Sequence, residues 1–563
     1  MTTATVRRRE PAGHSGRHRT QAQAGSASTF TGTALAARLA LRRSRWFWRA
    51  WIVALWATMQ GTAGAYTTLV PDSHAPSGRM LIEGLSANAT MRAMLGPPYN
   101  LYDAGGFTMW RVGTFAAAAA AMMAALGVIR ATRAEEEAGR VELLRSGAIG
   151  RHAPLTGGVL VALGGCAVLG LLIAAGMSAA APPASGAVAT GLGIALVGAV
   201  WVGVGAVAAQ VTESARTARG WSLGILGAAY LLRAMADGVA PGNAVENLRW
   251  ASPVEWAALA RPYADERWWV LLLPAALTAL LIALAYRLEG LRDHGAGLRA
   301  ATLGPAQAAS GLSSARGLAW RLARGSVIGW FIGMLVFGLI IGSLSRGLGD
   351  MLGQSPQVAE IFRRMGGNSQ LLEDAFYVAM LGIVVVVIAM FAVQLVWRLR
   401  HEEEAGHAEL MLSTATSRGG LLASHLVPAL VLPTLLLALT AVATSATQAL
   451  ADGSPDVIWA VLGGAMALAP GVWLVVGLAV AVLGWAPRLG FVPWLLIGWS
   501  LVMSWIGALL NLPDAVVKAT PFEQLPKVPV EAMNWTPWAV ETVLAVALIA
   551  LGAWGFRRRD IVP

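Results

Sequence analysis

Apolar segments of about 20 residues recur along the whole of this 563-residue chain. A helix needs roughly 20 apolar residues to cross the ~30 Å hydrocarbon layer of a membrane. Lipid offers no hydrogen-bond partner to free backbone N–H and C=O groups, so such segments must be helical. The alternating polarity of a transmembrane β-strand is missing from the sequence. The pattern therefore predicts an all-α polytopic membrane protein.

Twelve transmembrane helices are predicted, in two sets of six. The polar residues 1–34 before them are expected to form a disordered cytoplasmic tail. Residues 35–293 are expected to form the first six-span repeat, beginning with an amphipathic helix at 35–45 on the membrane surface. Residues 294–325 are a predicted cytoplasmic connector, and residues 326–563 the second six-span repeat. The spans lie at about 46–66, 108–129, 155–178, 186–209, 221–237, 268–286, 326–345, 375–397, 421–447, 457–484, 491–512 and 538–555.

The distribution of charge supports this topology. With the N-terminus inside, arginine and lysine exceed acidic residues in the inner segments, and acidic residues are in excess outside, as the positive-inside rule requires. The net charge of +11 is thus a topology signal and gives no reason to expect a nucleic-acid partner. Basic residues are nearly all arginine, and alanine and glycine are abundant, which is typical of a GC-rich bacterium. We expect the bacterial plasma (inner) membrane, with both termini cytoplasmic.

Several kinds of chemistry are excluded by the residues present. Cys166 is the single cysteine, so no intrachain disulfide or cysteine-based metal cluster can form. A phosphate-binding loop needs Gly-Lys-Ser/Thr, but Lys518 precedes Ala519 and Lys527 precedes Val528. We predict no catalytic site, no metal site and no bound cofactor in this chain, so energy for any work must come from a partner or an ion gradient.

An internal repeat links the two halves. Residues 133–144 (RAEEEAGRVELL) recur as residues 400–411 (RHEEEAGHAELM), with eight of twelve positions identical at an offset of 267 residues. The same offset carries Arg292-Asp293, after the sixth span, onto Arg559-Asp560, after the twelfth. Because six spans is an even number, the two copies should have the same orientation in the membrane. A duplicated pair of helical bundles suits a central pathway across the membrane.

The repeated segment carries three consecutive glutamates where the second and eighth spans reach the cytoplasm. Their side chains project around most of a helix, so they must be solvated or meet basic partners. Gly139 and Gly406 permit a sharp change of direction, and a short amphipathic stretch follows each of them. Such a segment could dock a soluble motor protein; alternatively, it is a solvated loop whose acids pair with nearby arginines such as Arg140 or Arg145.

These segments resemble those of ABC type-2 permeases, and more narrowly the duplicated twelve-span exporters of polyketide or tetronasin-type antibiotics. The ending Phe556-Arg-Arg-Arg-Asp560 fits the same pattern. So do Ser252-Pro253 and Thr520-Pro521, which precede the last span of each half. The resemblance covers nearly the whole chain apart from the N-terminal tail.

The resemblance implies a permease subunit that exports hydrophobic or amphiphilic small molecules such as antibiotics. ATP and Mg would bind a separate nucleotide-binding ATPase subunit, present in two copies per permease. Residues near Glu213, Arg216, Arg219 and Arg488 would form secondary cytoplasmic contacts. The implied ATPase-coupling residues are Glu135, Glu136, Glu137, Gly139, Glu142, Glu402, Glu403, Glu404, Gly406 and Glu409.

Two other functions stay open from the residues alone: an ion-coupled secondary carrier, and a membrane scaffold or sensor without transport. An ion-coupled carrier needs acids near the middle of the bilayer, and only Glu541 lies within a span, near its end. We expect Glu541 at the interface. Arg233 in the fifth span is either an intramembrane polar site or an arginine that extends to the outer interface.

Overall fold

The computed structural model describes residues 28–70, 75, 78–79, 82, 89–145, 149–239, 242–292, 297–298, 306–354, 369–506 and 520–560. All regular structure in these ranges is helical. Most of the predicted tail, a minor part of the connector and the end of the eleventh predicted span lie outside the described residues. The chain divides into two compact units at residue 302, with short segments at 80–94 and 238–240 grouped with the second unit.

Up to the division at residue 302, long helices alternate with short ones. A π-helical turn, Met109–Gly113, leads into α5, and a 3₁₀ turn, Trp268–Leu271, leads into α12. The α-helices are α1 Thr33–Gly64, α2 Tyr66–Leu69, α3 Ala89–Leu95, α4 Ala104–Thr108, α5 Thr114–Ala131, α6 Arg133–Glu137, α7 Arg140–Arg145, α8 Ala153–Ala180, α9 Ala184–Val211, α10 Ala215–Asp237, α11 Trp256–Leu259 and α12 Leu272–Leu291.

The remaining helices belong to the second unit. A 3₁₀ turn, Pro487–Leu489, connects α18 to α19. The helices are α13 Ala315–Gln354, α14 Ser369–Glu404, α15 His407–Leu412, α16 Arg418–Asp452, α17 Asp456–Ala467, α18 Ala469–Trp485, α19 Val492–Ile506, α20 Pro521–Gln524 and α21 Trp535–Arg558.

Nine helical segments in the part of the chain that the structure describes are long and apolar enough to cross a membrane. Three further predicted spans, 46–66, 221–237 and 491–512, fall on α1, α10 and α19, which are not among the nine. The nine are Ala104–Glu137, Ala153–Ala180, Ala184–Val211, Trp268–Leu291, Ala315–Gly342, Tyr377–Glu404, Arg418–Leu450, Asp456–Trp485 and Trp535–Arg558.

The N-terminal region differs from expectation in two ways. The predicted surface helix and the first predicted span form one continuous helix, α1, because nothing between residues 45 and 46 interrupts the helical backbone. Residues 28–34 are not part of a free tail. The carbonyl oxygens of Thr29 and Thr31 accept hydrogen bonds from the N–H groups of His152 (2.9 Å) and Gly150 (2.8 Å).

Small residues set the packing within each unit. In the first unit, a Cβ atom added at Gly191 on α9 would lie 2.3 Å from the carbonyl oxygen of Gly170 on α8. In the second unit, one added at Gly484 on α18 would lie 2.1 Å from the carbonyl oxygen of Gly552 on α21. Glycine lets the helix backbones come this close, which is the usual way that membrane helices gain packing contacts.

Candidate coupling site

The first glutamate motif begins where α5 ends. Thr132 leaves the helical conformation (φ −119°, ψ −85°), and the short helix α6 carries the three glutamates. Gly139 has a φ of +69°, in the left-handed region that glycine reaches without a steric penalty. The chain changes direction there and continues as α7.

The second motif has the same plan with one difference. Helix α14 runs without a break through Glu404, so no separate short helix carries the glutamates. Gly406 has a φ of +73° and precedes α15. The prediction that Gly139 and Gly406 permit a sharp change of direction is confirmed in both units.

The central glutamate of the first motif is held by two arginines. Nη1 of Arg133 lies 2.8 Å from Oε2 of Glu136, and Nη1 of Arg292 lies 2.8 Å from Oε1 of the same carboxylate. Arg292 is 156 residues away in the sequence, directly after α12. Charge-assisted contacts to both carboxylate oxygens are strong and directional. Glu136 therefore fastens the motif to the end of the last helix of its own unit.

The second unit repeats this arrangement. Nη1 of Arg400 lies 3.1 Å from Oε2 of Glu403, and Nη2 of Arg559 lies 2.5 Å from Oε1. The side chain of Glu403 is fully buried. Each of these three residues follows its counterpart in the first unit by 267 positions. We call Arg292 and Arg559 the anchoring arginines.

A second arginine in each unit fixes the backbone of the anchoring arginine. Arg151 donates from Nη2 to the carbonyl oxygen of Arg292 at 3.3 Å. Arg418 donates from Nη1 to the carbonyl oxygen of Arg559 at 2.8 Å. These two residues are again separated by 267 positions. The repeat thus includes the glutamate motif and also the arginines, Arg151 and Arg418, that bind the backbone of the anchoring arginines.

The first glutamate of each motif has a local basic partner. Glu135 accepts hydrogen bonds from Arg43 and from Arg140, with Nε–Oε2 2.7 Å and Nη2–Oε1 2.9 Å for Arg140. The hydrogen bond to Glu135 raises the pKa of Arg140. In the second unit, Oε2 of Glu402 lies 2.9 Å from Nδ1 of His407. Pairing with neighbouring bases, the alternative interpretation of the motif, therefore describes these two glutamates and also Glu404, whose Oε1 lies 3.0 Å from Nε of Arg400.

The exposed acids form a second set of equivalent pairs. Glu137 and Glu142 are exposed in the first unit, and Glu404 and Glu409 are exposed in the second. Glu404 follows Glu137 by 267 positions, and Glu409 follows Glu142 by the same offset. The sequence motif therefore separates into central acids bound by the anchoring arginines and more exposed outer acids, of which Glu137 also accepts a hydrogen bond from the N–H of Ala215 at 3.1 Å.

The loop at residues 213–219 lies beside the first motif. Arg133 donates from Nε to the carbonyl oxygen of Glu213 at 3.0 Å, so the arginine that binds Glu136 also binds this loop. Arg216 and Arg219 are exposed at the start of α10.

The corresponding loop of the second unit contains Arg488, which is also exposed. Nε1 of Trp397 on α14 donates to the carbonyl oxygen of Gly490 at 3.1 Å, so this loop is attached to the helix that carries the second motif. The predicted secondary contacts and the predicted coupling segments are therefore neighbours within each unit.

Comparison with known proteins identifies the family. The C-terminal domain of the multidrug efflux system permease Rv1217c matches residues 312–557. The multidrug efflux system permease protein Rv1217c of Mycobacterium tuberculosis (strain ATCC 25618 / H37Rv) is 38% identical over 565 residues, covering 100% of both chains. The chain belongs to this permease family.

In this permease, Arg233 lies in a buried polar cluster. Its side chain is fully buried, with Nη1 3.4 Å from Oδ2 of Asp237 and 3.6 Å from Oε2 of Glu255. Its guanidinium also lies over the ring of Tyr230, 4.6 Å from the centroid. A buried arginine needs such partners because an unpaired charge is costly away from water. Arg233 thus belongs to a buried polar cluster, and both interpretations of it, an intramembrane polar site and an arginine that extends to the outer interface, stay predictions.

The permease places two carboxyl groups around this one arginine. Burial raises the pKa of Glu255, which lies outside the candidate spans, to about 8, and the nearby Asp237 carboxylate adds to the shift. The positive charges of Arg233 and Arg249 offset only part of this effect, so the protonated form of Glu255 stays favoured. No sequence signal indicated Glu255, because it lies outside the predicted span 221–237 that carries its partner, Arg233.

Glu541 is also buried, with 3% of its surface exposed, although the sequence suggested an interfacial position. Neither of its carboxylate oxygens has a hydrogen-bond partner. The available sequence signal was an acid within an apolar span, which is a functional candidate by default.

Proposed function

We propose that this chain is the membrane-spanning permease subunit of an ATP-driven exporter that moves hydrophobic or amphiphilic small molecules, drugs among them, out of the cell. The relative over its full length is named a multidrug efflux system permease, which supports drug export and does not favour an ion-coupled secondary carrier. The chain has no phosphate-binding loop, so ATP and Mg are assigned to a separate ATPase subunit.

The observation that carries the ATPase assignment is the repeated exposed acid pair. Ion pairs with the anchoring arginines account for Glu136 and Glu403, whereas Glu137, Glu142, Glu404 and Glu409 are exposed around a glycine turn in each unit. Two equivalent acidic surfaces call for two equivalent partners, which means two ATPase copies per permease. We therefore narrow the proposed coupling contact to these four outer acids.

A charge-reversal experiment tests this role. The full-length chain is tagged and purified from membranes of its own host, and co-purified proteins are identified by mass spectrometry. Replacing the four outer acids by lysine should remove an ATPase subunit from the complex and abolish drug-stimulated ATP hydrolysis in proteoliposomes. Glu531→Lys, which changes an exposed acid outside the motifs, is the matched control. Normal assembly and coupling in the four-site variant would reject the proposed contact.

The energy source has its own test. Export that stops when ATP is depleted, with the ion gradient intact, supports the ATP-driven mechanism. Export that survives ATP depletion and stops with an uncoupler would instead establish an ion-coupled carrier.

We further propose twelve spans in two six-span repeats of the same orientation, with both termini in the cytoplasm of a bacterium and the chain in its plasma membrane. The single native cysteine, Cys166, is buried, so a Cys166→Ala background suits accessibility labelling. Ala138→Cys and Ala405→Cys occupy equivalent exposed positions in the two motifs. Both should react only with a reagent that reaches the cytoplasmic side, and labelling of either from outside would contradict the topology.

A further inference from the structure

Glu541 occupies an unusual place for an acidic residue. It is the seventh residue of the candidate span Trp535–Arg558, so roughly 9 Å of helix separates it from the start of the span. In the nine candidate spans of the described residues, every other acid lies within three residues of a span end. Acids inside a membrane span are rare and usually mark an ion or substrate path.

Burial leaves the carboxyl group without compensation. Both oxygens of Glu541 are shielded from solvent and have no hydrogen-bond partner in the structure. A buried polar group in this state is destabilising, and more so when it is charged. An unsatisfied buried polar group in a folded chain calls for an explanation, and a binding partner from outside the chain is one such explanation.

A pair of tryptophans lies on the side of α21 that carries Glu541. Trp538 precedes Glu541 by one turn and therefore lies on the same side of α21. Its ring centroid is 6.1 Å from that of Trp473 on α18. One turn after Glu541, the carbonyl oxygen of Ala545 lies 2.9 Å from a Cβ added at Gly477 on α18. Glu541 thus lies between two contacts of α21 with α18.

The indole N–H groups of Trp473 and Trp538 already donate hydrogen bonds within the protein, so these side chains can contact a ligand only through their rings. Nε1 of Trp473 donates to Oγ1 of Thr434 at 3.0 Å, and Nε1 of Trp538 donates to the carbonyl oxygen of Met466 at 3.5 Å. Both tryptophan residues are half-buried. A carboxylate beside aromatic faces combines the two features that attract a poorly hydrated organic cation: opposite charge and the negative face of a π-system.

We propose that Glu541, Trp473 and Trp538 form a binding site for the positive charge of an organic cation. A cation at this site neutralises the carboxylate and stacks against the indole faces, while its apolar groups contact the surrounding helices. This inference rests on the proposed export function, because it assigns the cationic amphiphiles among the substrates to one site in the second unit.

Binding by the full-length chain in lipid nanodiscs tests the site without ATP or a partner. The probes are tetraphenylphosphonium, a delocalised cation, and triphenylphosphine oxide, a neutral molecule with similar rings; isothermal titration calorimetry measures both, and empty nanodiscs give the background. Glu541→Gln should bind tetraphenylphosphonium at least about 10-fold more weakly than the wild type, with triphenylphosphine oxide within about 2-fold. Glu531→Gln is the matched control and should bind both probes normally.

Three results would overturn the site: unchanged tetraphenylphosphonium affinity in Glu541→Gln, an equal loss for both probes, or no cation binding by the wild type. Trp538→Phe should retain more affinity for the cation than Trp538→Leu, because phenylalanine keeps a ring face. Equal affinities of these two variants would exclude a cation–π contribution.

A measurement on the wild-type protein tests the site even if the Glu541 and Trp538 variants do not fold. Dicyclohexylcarbodiimide modifies carboxyl groups buried in apolar surroundings, and mass spectrometry locates the modified residue. Tetraphenylphosphonium should protect Glu541 and triphenylphosphine oxide should not; equal modification with and without the cation would contradict the proposal. Since none of these measurements involves ATP, their failure is distinguishable from failure of the proposed export function.

Discussion

Arg292 and Glu136 form an ion pair across 156 residues of sequence, and Arg559 and Glu403 form its counterpart 267 positions later. In each unit this pair joins the glutamate motif to the end of the last helix. Movement of the motif must therefore be transmitted to that helix or break the pair. The same bond has been kept in both halves although the helices between motif and anchor differ in length.

Removing an anchoring arginine should destabilise the second unit. Arg559→Ala leaves the fully buried Glu403 carboxylate with Arg400 alone. Breaking a buried pair from one side costs about 3–5 kcal/mol. Thermal unfolding in nanodiscs should show a lower midpoint for Arg559→Ala than for Arg558→Ala, which removes an exposed arginine beside it. Equal midpoints would mean that the pair does not hold the motif.

The glycine turn of the second motif should resist substitution for a purely conformational reason. Gly406→Ala meets no atom within 4 Å, but the φ of +73° costs an L-residue about 1–2 kcal/mol. Gly406→Asn should cost less, because asparagine tolerates this region. Gly382→Ala, in a helix with equally open space, should be neutral or stabilising. A Gly406→Ala chain as stable as the Gly382→Ala chain would contradict the left-handed turn.

Close packing of α18 on α21 predicts a second sensitive glycine. A Cβ at Gly484 would lie 2.1 Å from the carbonyl oxygen of Gly552, a backbone atom that cannot move aside cheaply. Gly484→Ala should lower the free energy of unfolding by about 1–3 kcal/mol, the usual cost of overpacking. Gly498→Ala on α19, where nothing lies within 4 Å, is the control. Equal free energies of unfolding for Gly484→Ala and Gly498→Ala would show that α18 and α21 can move apart at little cost.

The buried cluster around Arg233 predicts a pH dependence of stability. The pKa of Glu255 is raised to about 8 in the folded chain, above the ordinary value of about 4.3 in an unfolded one. Between these values the folded chain retains a proton that the unfolded chain releases. The free energy of unfolding should therefore fall as pH rises through this window and level off above about pH 8.

Asp237, Arg233 and Arg249 are the charged groups that act on Glu255, and they stay in place when Glu255 alone is changed. Glu255→Gln should flatten the dependence of the unfolding midpoint on pH between 5 and 9, whereas Glu531→Gln should leave it as in the wild type. A slope unaffected by Glu255→Gln would assign the titration to another group.

Part of the candidate site could be predicted from the sequence, because the repeated motifs and the glycine turns depend on local sequence. The offset of 267 exposed the two motifs, and the glycines of the turns were recognisable because glycine occupies left-handed backbone where other residues rarely do. The roles of the individual glutamates were not readable. Three adjacent acids look alike in sequence, and only contact with an arginine 156 residues away separates Glu136 from its neighbours.

By itself, the sequence determined the class of this protein: it is helical and apolar enough to cross a membrane many times. The length and composition of each apolar segment suffice for that, because the cost of unpaired backbone groups in lipid leaves few alternatives. The tertiary structure decided which polar groups are buried and with what. It placed Arg233 between two carboxyl groups and left Glu541 without a partner. Those outcomes depend on how distant helices pack, which no local pattern encodes.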